Sequence, residues 1–524
     1  MKRKLSGLLA LILAFGTTIG MTACGGAGPT PNTPDDLEIF YWNSGQGRDW
    51  LDNTIDAFVA KNPGVNVVKN FSENNTNWEK QLTSGASVNT IDLYINSMAT
   101  MLAHTQYLEP LDDVMNEKDE KGVKFIDKYE PVLMDLLRKD GTLYGTYWGG
   151  GICGLVYNKT VFEEEEFEIP RTTDELADLA QDMVETKDEK GKSKNYTPFI
   201  FPGNADYWAY CYIPWAAQYG GIEELNAFWN PPATATSPVD KSVFVTEARR
   251  LALQTLEEVA YGYTYPASNE KTHTAAQTLF LNGTGLMMPN GNWIENEMKN
   301  LPAEDKIEFE FMKLPIISAL GEKLELSDDP AEADLILREI VSYVDSADYA
   351  NGTFNEGNGY DVDTVSGLDK AIIDRVAEAR SIVYTEGTSN KAAIPNYANA
   401  KEWAKKFIKF MNTEEGLKYY WESMKGPMLA QISTERDTST WSSFAQNVMT
   451  LAENSTFVYR AKGHPFFYNN GLEFYPEYPQ SYLFPADDAE RVTAAKFWTD
   501  KCLSRYNGAD WDLWVQYSGL TLAQ

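Results

Sequence analysis

Apolar strands alternate with amphipathic helices along most of the recognisable part of this chain. Leu37–Trp42 is typical of a buried strand, a polar loop follows it, and Leu51 and Ile55 then recur at helical spacing. Trp403 and Phe407 repeat that spacing in a long helix near the end of the chain. Because parallel strands are joined through helical crossovers, this alternation predicts an α/β fold with mainly parallel sheets flanked by helices.

Three places share one local arrangement, in which a strand runs into a short polar or aromatic loop and then into a helix. They are Phe40–Ser44, Leu93–Ser97 and Met288–Trp293. In open α/β sheets ligands collect beyond the carboxyl ends of strands, and helix N-termini add unpaired N–H donors there. The three loops are therefore predicted to meet at a ligand site, while ordinary helix capping by Asn and Ser accounts for some of these residues.

The charge balance limits the kinds of partner. The chain has 524 residues with 45 basic and 76 acidic side chains, which gives a net charge of −31 at pH 7. A surface this acidic repels nucleic acid and anionic lipid headgroups, so neither is expected as a direct partner. The 14 Trp and 29 Tyr residues are numerous. Aromatic cores use many of them, but a flat apolar face with a polar edge also suits sugars.

Cysteine and histidine usage argues against a metal centre. The chain has three histidines, no paired metal-ligand spacing, and no HExxH, GxSxG or Walker-type loop. We expect no metal ion, no cofactor and no catalytic residue. Cys153, Cys211 and Cys502 are widely separated, so three buried thiols are expected in preference to a disulfide.

The first residues have the pattern of a secretory signal. Basic residues 2–4 precede the apolar run Leu8–Phe15, which is too short to span a membrane. The residues before Cys24 resemble a bacterial lipobox, whose cysteine is acylated and becomes the mature N-terminus; an ordinary secreted protein is the alternative. We expect a signal peptide over 1–23, then a lipidated Cys24 and a flexible tether over 24–36, on the extracellular face of the cytoplasmic membrane.

Six stretches resemble the family 1 extracellular solute-binding proteins, the capture subunits of ATP-driven sugar importers, a group that includes maltose-binding proteins. The central pair covers residues 140–165 and 170–183. The others occur in the family's order. In full they are DGTLYGTYWGGGICGLVYNKTVFEEE, PRTTDELADLAQDM, FVAKNPGVNV (58–67), YLEPLDDVM (107–115), FLNGTGLMMPNGNW (280–293) and AIPNYANAKEWAKKFIKFMNTEEG (393–416).

The resemblance implies a type II, periplasmic-binding-protein-like fold: two lobes, a multi-segment hinge, and a ligand in the cleft between the lobes. Chain crossings are expected near 144–151, 309–316 and 412–416. The implied division gives lobe 1 residues 37–147 and 311–412, with an insertion at about 319–391, and gives lobe 2 residues 148–310 and 413–524, including a C-terminal extension.

The resemblance also implies which residues bind the ligand. Trp293, in the segment NGNW, falls where family members often place a sugar-stacking aromatic ring, and core packing is its alternative role. Polar hydroxyl-binding groups and further aromatic platforms are expected around it. The full expected set is Trp42, Asn43, Gln46, Asn96, Trp148, Asn292, Trp293, Tyr468 and Tyr475.

The expected function is non-enzymatic capture of a carbohydrate, foremost an oligosaccharide, and its delivery to the permease subunits of an ABC importer. A monomer is expected, held at the membrane through its lipid only. A surface-anchored glycoside hydrolase is one alternative, since acidic residues are plentiful. A binder of another solute, such as a glycerol phosphate, is a second, and a surface adhesin is a third.

Overall fold

The computed structural model describes residues 33–43, 45, 47–73, 77–98, 100–149, 151–229, 241–299, 307–350, 370–386, 389–424, 437–453, 455–459, 479–504 and 511–512. Its helices flank two separate sheets. They are α1 Asp49–Lys61, α2 Trp78–Thr83, α3 Asp112–Met115, α4 Pro131–Asp135, α5 Lys159–Glu165, α6 Thr173–Glu185, α7 Ala209–Gly220, α8 Ile222–Trp229, α9 Glu247–Ala260, α10 His273–Leu281, α11 Ile294–Glu297, α12 Ala319–Lys323, α13 Pro330–Val344, α14 Ala347–Ala350, α15 Lys370–Ser381, α16 Lys401–Met411, α17 Glu414–Met424, α18 Ser443–Glu453, α19 Gln480–Leu483 and α20 Ala494–Phe497.

Short 3₁₀ segments and a π-helical turn connect some of these elements. They are Met101–Tyr107, Ile126–Lys128, Lys241–Phe244, Ser268–Glu270, Asp488–Glu490 and the π-helical Trp498–Leu503. The strands are β1 Asp36–Trp42, β2 Asn66–Ser72, β3 Leu93–Asn96, β4 Arg138–Lys139, β5 Thr142–Leu143, β6 Thr146–Gly149, β7 Ile152–Asn158, β8 Met287–Gly291, β9 Phe309–Phe311, β10 Ile382–Thr385, β11 Ser389–Ala393 and β12 Thr456–Tyr459.

The first lobe is built on a five-stranded sheet in the order β2-β1-β3-β11-β6. Its interior strand β1 is buried from Leu37 to Tyr41, because its apolar run is covered on both faces. Helix α1 follows β1 with the predicted apolar face and packs on α17. The predicted strand at 37–42 and the helix that ends before Pro63 are thus confirmed.

The second lobe is built on β12-β10-β7-β8, with β9 also paired to β7. All seven residues of β7 are buried, so this strand is the centre of the second core. Helix α7 packs against β10 and against the amphipathic helix α9. The three cysteines of this lobe, Cys153, Cys211 and Cys502, are free and buried, which confirms the expected thiols.

Two neighbouring segments join the lobes as an antiparallel ribbon. The chain leaves the first sheet at Gly149 and enters the second at Ile152, and it returns between Thr385 and Ser389. The two segments stay paired on both sides of the junction, since Ile152 lies opposite Thr385 and Gly149 opposite Ser389. A backbone hydrogen bond of 3.1 Å from Glu386 to the Gly151 carbonyl continues the ribbon through the hinge.

This ribbon corrects the expectation of mainly parallel sheets. Among the described strands, β1–β2, β1–β3 and β10–β12 are parallel. The pairs β3–β11, β6–β11, β7–β10, β7–β8 and β7–β9 are antiparallel. Both sheets are mixed because each contains one hinge strand that runs opposite to its neighbours. This strand is the returning β11 in the first sheet and the outgoing β7 in the second.

The expected crossings are also partly corrected. The one near 144–151 agrees with the passage from β6 to β7. The one near 309–316 is wrong, because β9 pairs with β7 inside the second sheet and the chain returns only after β10. The segment 412–416 is not a crossing either, since α17 still packs on α1. Strands β9 and β10, at 309–311 and 382–385, therefore belong to the second sheet, whereas the expected division gave 311–412 to the first lobe.

No helix in the described part of the chain has the length and apolar character needed to span a bilayer.

Candidate ligand-binding site

The ends of strands from both sheets line the hinge. In the first sheet, β1, β3 and β6 end at Trp42, Asn96 and Gly149, and β11 begins at that edge. In the second sheet, β7 begins there and β8 ends there, because Cys153 lies opposite Gly291. The sequence prediction that three strand–loop–helix segments meet at one place is therefore matched by the order and direction of these strands.

The indole of Trp293 packs on two glycines, Gly151 in the hinge and Gly291 at the end of β8. A Cβ atom built on Gly151 would come within 2.2 Å of Cζ3 of the indole, and one built on Gly291 within 2.3 Å of Cη2. The ring therefore rests directly on backbone that carries no side chain. Trp293 is half-buried, packed against the core but not enclosed by it. These contacts hold the indole in one orientation with part of its surface exposed.

Two tyrosines fix the indole from its sides. The ring centroids of Tyr207 and Tyr210 lie 6.4 Å and 6.2 Å from that of Trp293, both in edge-to-face geometry. The Trp293 side chain also hydrogen-bonds to Tyr207, while burial raises the pKa of that phenol above its usual value, with Glu297 adding to the rise. The tyrosine hydroxyl is therefore neutral at physiological pH.

Polar atoms without partners lie at the opposing edge of the first sheet. Among the described residues, Asn43 Oδ1, Asn96 Nδ2 and Trp148 Nε1 are buried and accept or donate no hydrogen bond. Buried polar atoms are rarely left unpaired, because desolvating them without a partner costs about 1–3 kcal/mol. Two donors and one acceptor near the ends of β1, β3 and β6, at one edge of the first sheet, suit a ligand rich in hydroxyl groups.

The predicted platforms differ in exposure. Trp42 is half-buried at the end of β1, beside Asn43, whose side-chain amide donates to Glu73 at 2.8 Å. Trp148 has no exposed surface, so its ring is part of the core and only its indole N–H is unpaired. Asn292 is half-buried at the hinge, where its backbone N–H donates to Ile152 at 2.9 Å.

The lobes also touch beside the hinge. The side-chain amide of Asn296, on α11, donates a hydrogen bond of 2.5 Å to the carbonyl oxygen of Gly45, in the loop after β1. A salt bridge of 3.5 Å joins Lys299 to Asp49 at the start of α1. A Cβ atom on Gly45 would lie 2.6 Å from a carboxylate oxygen of Glu297, so the loop approaches α11 closely. The loop after β1 in the first lobe and helix α11 in the second therefore contact each other beside the hinge.

Two charged side chains stand near this cleft. Glu297 accepts a hydrogen bond of 2.7 Å from Gln277, and burial raises the pKa of its carboxyl group. Lys391, on β11, donates to the carbonyl oxygen of Ser97, and loss of hydration lowers the pKa of its ammonium group to about 8. No three histidine, cysteine or acidic side chains in the described residues form a cluster that suits a metal ion.

Sequence reasoning missed four of these residues: Tyr207, Tyr210, Asn296 and Lys391. Two features of the sequence could have indicated the first three. Tyr207 and Tyr210 lie in an aromatic-rich segment, and Asn296 comes three residues after Trp293. No local sequence pattern indicated Lys391, because only strand pairing brings it to this edge of the sheet. Of the predicted set, Gln46, Tyr468 and Tyr475 lie outside the described residues, as does Cys24.

The sequence is similar to one known protein family and to two named bacterial proteins. Residues 43–321 match the family model of the bacterial extracellular solute-binding proteins. The diacetylchitobiose binding protein NgcE of Streptomyces coelicolor is 25% identical over 301 residues, which cover 56% of this chain and 58% of that protein. The multiple sugar-binding protein of Streptococcus mutans is 20% identical, over 55% of this chain and 64% of that protein.

The chain thus spans less than two thirds of the length of these curated relatives. Among solved structures, apo RafE from Streptococcus pneumoniae superposes with a TM-score of 0.57 at 15% identity, covering 88% of this chain and 96% of RafE. That likeness supports the two-lobed type II fold. Since the family model matches more than half of its residues, this chain belongs to the bacterial extracellular solute-binding protein family.

Proposed function

We propose that this protein captures a carbohydrate, foremost an oligosaccharide, outside the cell and delivers it to the permease of an ABC importer. The observation that carries the proposal is the opposition of two unlike surfaces across the hinge. Trp293 supplies a fixed aromatic platform on one lobe. Asn43, Asn96 and Trp148 supply unpaired polar atoms on the other. A sugar presents C–H faces and hydroxyls together, so it satisfies both surfaces at once.

The proposed mechanism is closure of the lobes on the sugar without a covalent step. A ligand that contacts both lobes stabilises the closed form by its difference in affinity for the closed and open forms. The hydrogen bond from Asn296 to Gly45 joins the lobes in the closed form beside the ligand. The relatives support the ligand class: NgcE is a diacetylchitobiose binding protein, and RafE has a solved complex with raffinose.

A thermal-shift screen of the protein against mono- and oligosaccharides tests the proposal. A ligand that binds only the folded state raises the melting temperature, by an amount that grows with its concentration. We expect a concentration-dependent rise for at least one oligosaccharide, with no shortening of that sugar on prolonged incubation. Release of shorter sugars would instead support a glycoside hydrolase. A rise with glycerol phosphate alone would point to another solute class.

We further propose that the protein acts as a monomer anchored through Cys24. The leader and the residues before Cys24 support acylation of that cysteine, and the tether to residue 36 leaves the lobes free to reach the permease. Tethering raises the local concentration of the binder beside its transporter. In cells, Cys24→Ala should release the protein from the membrane fraction, whereas retention of the variant there would exclude lipid anchoring at this position.

A further inference from the structure

An inference that rests on the proposed function concerns the kind of sugar. Lys391 lies on β11, directly opposite Asn96 of β3 and opposite Tyr147 of β6. Residues that face each other in a sheet project to the same side. Asn96 and Lys391 therefore share one face of the first sheet, at the edge where the predicted ligand loops begin.

The ammonium group of Lys391 has no counter-charge in the described part of the chain. Its hydrogen bond goes to the carbonyl oxygen of Ser97, and loss of hydration is what lowers its pKa. Other shielded lysines of this protein are paired: Lys128 lies 2.7 Å from Asp119, and Lys405 lies 2.9 Å from Asp113. A desolvated ammonium without a carboxylate is costly unless another molecule supplies the negative charge.

The neighbouring amide adds a second donor. Asn96 has no exposed surface, its Oδ1 accepts from the Ser97 N–H at 2.6 Å, and its Nδ2 has no partner among the described residues. The unpaired groups of the pair are therefore mainly donors, because Oδ1 of Asn96 already accepts from the Ser97 N–H while its Nδ2 has no partner among the described residues. A hydroxyl group both donates and accepts, whereas a carboxylate only accepts. A pair rich in donors that includes an ammonium group matches a carboxylate better than a hydroxyl.

The acidic surface of the protein does not prevent a carboxylate from binding to Lys391 and Asn96 at short range. The net charge of −31 acts on an approaching anion through solvent. At physiological salt that field is screened over about 8 Å. A carboxylate in contact with Lys391 lies much closer to the ammonium group than this screening distance, so the attraction of Lys391 outweighs the screened net charge.

We propose that Lys391 and Asn96 form a subsite for the carboxylate of an acidic sugar, a uronic-acid residue within the captured oligosaccharide. The ammonium supplies the charge and the amide fixes the direction of the carboxylate. Trp293 remains the platform for the sugar ring, so the acidic group adds selectivity to a site that already holds carbohydrate.

Isothermal titration with matched sugars tests this subsite. The probes are trigalacturonic acid, cellotriouronic acid and the aldotetrauronic acid of glucuronoxylan, each titrated beside its neutral parent oligosaccharide. We expect at least one acidic sugar to bind ten-fold or more tightly than its parent. Lys391→Met should abolish that preference, and Lys391→Arg should keep most of it. Lys418→Met, an exposed lysine on α17, should leave affinities unchanged and serves as the control.

Asn96→Asp provides a second variant, because its carboxylate pairs with Lys391 internally and should remove the preference for acidic sugars without leaving the ammonium unpaired. If neutral parents bind as tightly as the acidic sugars, or if Lys391→Met keeps the preference, the subsite is wrong while sugar capture stands. If neither class binds, both the subsite and the proposed function fail.

Discussion

The indole of Trp293 rests on the backbone of Gly151, so closely that a Cβ atom at Gly151 would lie 2.2 Å from Cζ3 of the ring. Gly151 belongs to the hinge ribbon, where its carbonyl accepts from Glu386. The same glycine therefore takes part in the connection between the lobes and provides the surface on which the indole packs.

Gly151→Ala should displace the indole and weaken sugar binding by ten-fold or more, although the new methyl group would not touch the ligand. Overpacking of this kind typically costs about 1–3 kcal/mol of stability as well. Titration calorimetry and thermal melting measure the two effects. Gly154→Ala is the matched control in β7, since its Cβ would meet Phe311 at an ordinary 3.6 Å. If both variants bind sugar with equal affinity, the packing of the Trp293 ring on Gly151 does not affect binding.

Trp293→Ala should weaken sugar binding by at least ten-fold, equivalent to about 1.4 kcal/mol, because it removes the stacking surface. The affinity is measured by calorimetry on protein whose fold is checked by circular dichroism. Trp403→Ala is the control: Trp403 is also half-buried but packs on Phe58 in the first lobe. If Trp293→Ala binds sugar with unchanged affinity, the role of Trp293 is core packing and not ligand stacking.

Asn296→Ala should make the liganded protein open more readily, because it removes the hydrogen bond to the Gly45 carbonyl that joins the lobes. A net contribution of about 1 kcal/mol corresponds to roughly five-fold faster sugar release, measured by stopped-flow displacement. Asn53→Ala removes a comparable bond of 2.8 Å to Ser423 and serves as the control. If the two variants release sugar at the same rate, the cross-lobe bond does not hold the closed form.

Asp345 should make the folded state sensitive to acid. Burial tends to raise the pKa of this carboxyl, but Arg380 at 2.7 Å and Lys313 at 2.6 Å lower it below its usual value. The stabilisation is therefore complete above the unfolded pKa, near 4, and is lost as the pH falls through the lower folded value. Asp345→Asn should lower the free energy of unfolding at pH 7 and flatten its decline below about pH 4.

Urea unfolding at several pH values measures this effect. Since the Asp345 side chain is 30% exposed, solvent screening limits the expected loss at pH 7 to about 1–2 kcal/mol. Asp374→Asn, which breaks the exposed pair with Lys370 on α15, is the control and should leave the free energy of unfolding nearly unchanged. A decline with acid that is the same in wild type and Asp345→Asn would disprove the assignment to Asp345.

Local patterns predicted the elements around the site, because each depends on residues close in sequence. The strand at 37–42, helix α1 and the late helix α16 follow from apolar spacing alone. The convergence of three polar loops follows from the rule for the carboxyl ends of strands. Trp293 came from the family resemblance, and its seat on Gly151 explains why a tryptophan fits there.

The mixed sheets and the second hinge crossing could not be read from the sequence. Strand β11 lies between β3 and β6, from which it is separated by more than two hundred residues along the chain, and no local pattern encodes that partnership. The same non-local pairing brings Lys391 beside Asn96. Lys391 is therefore absent from the residues that the sequence predicts at the site.

Calorimetric titration of the protein with a panel of neutral and acidic oligosaccharides tests the central claim most directly. Capture by closure predicts one sugar bound per chain, with micromolar or tighter affinity for at least one member and recovery of that sugar intact after release. Absence of binding heat for every sugar, or recovery of shortened products, would contradict the account.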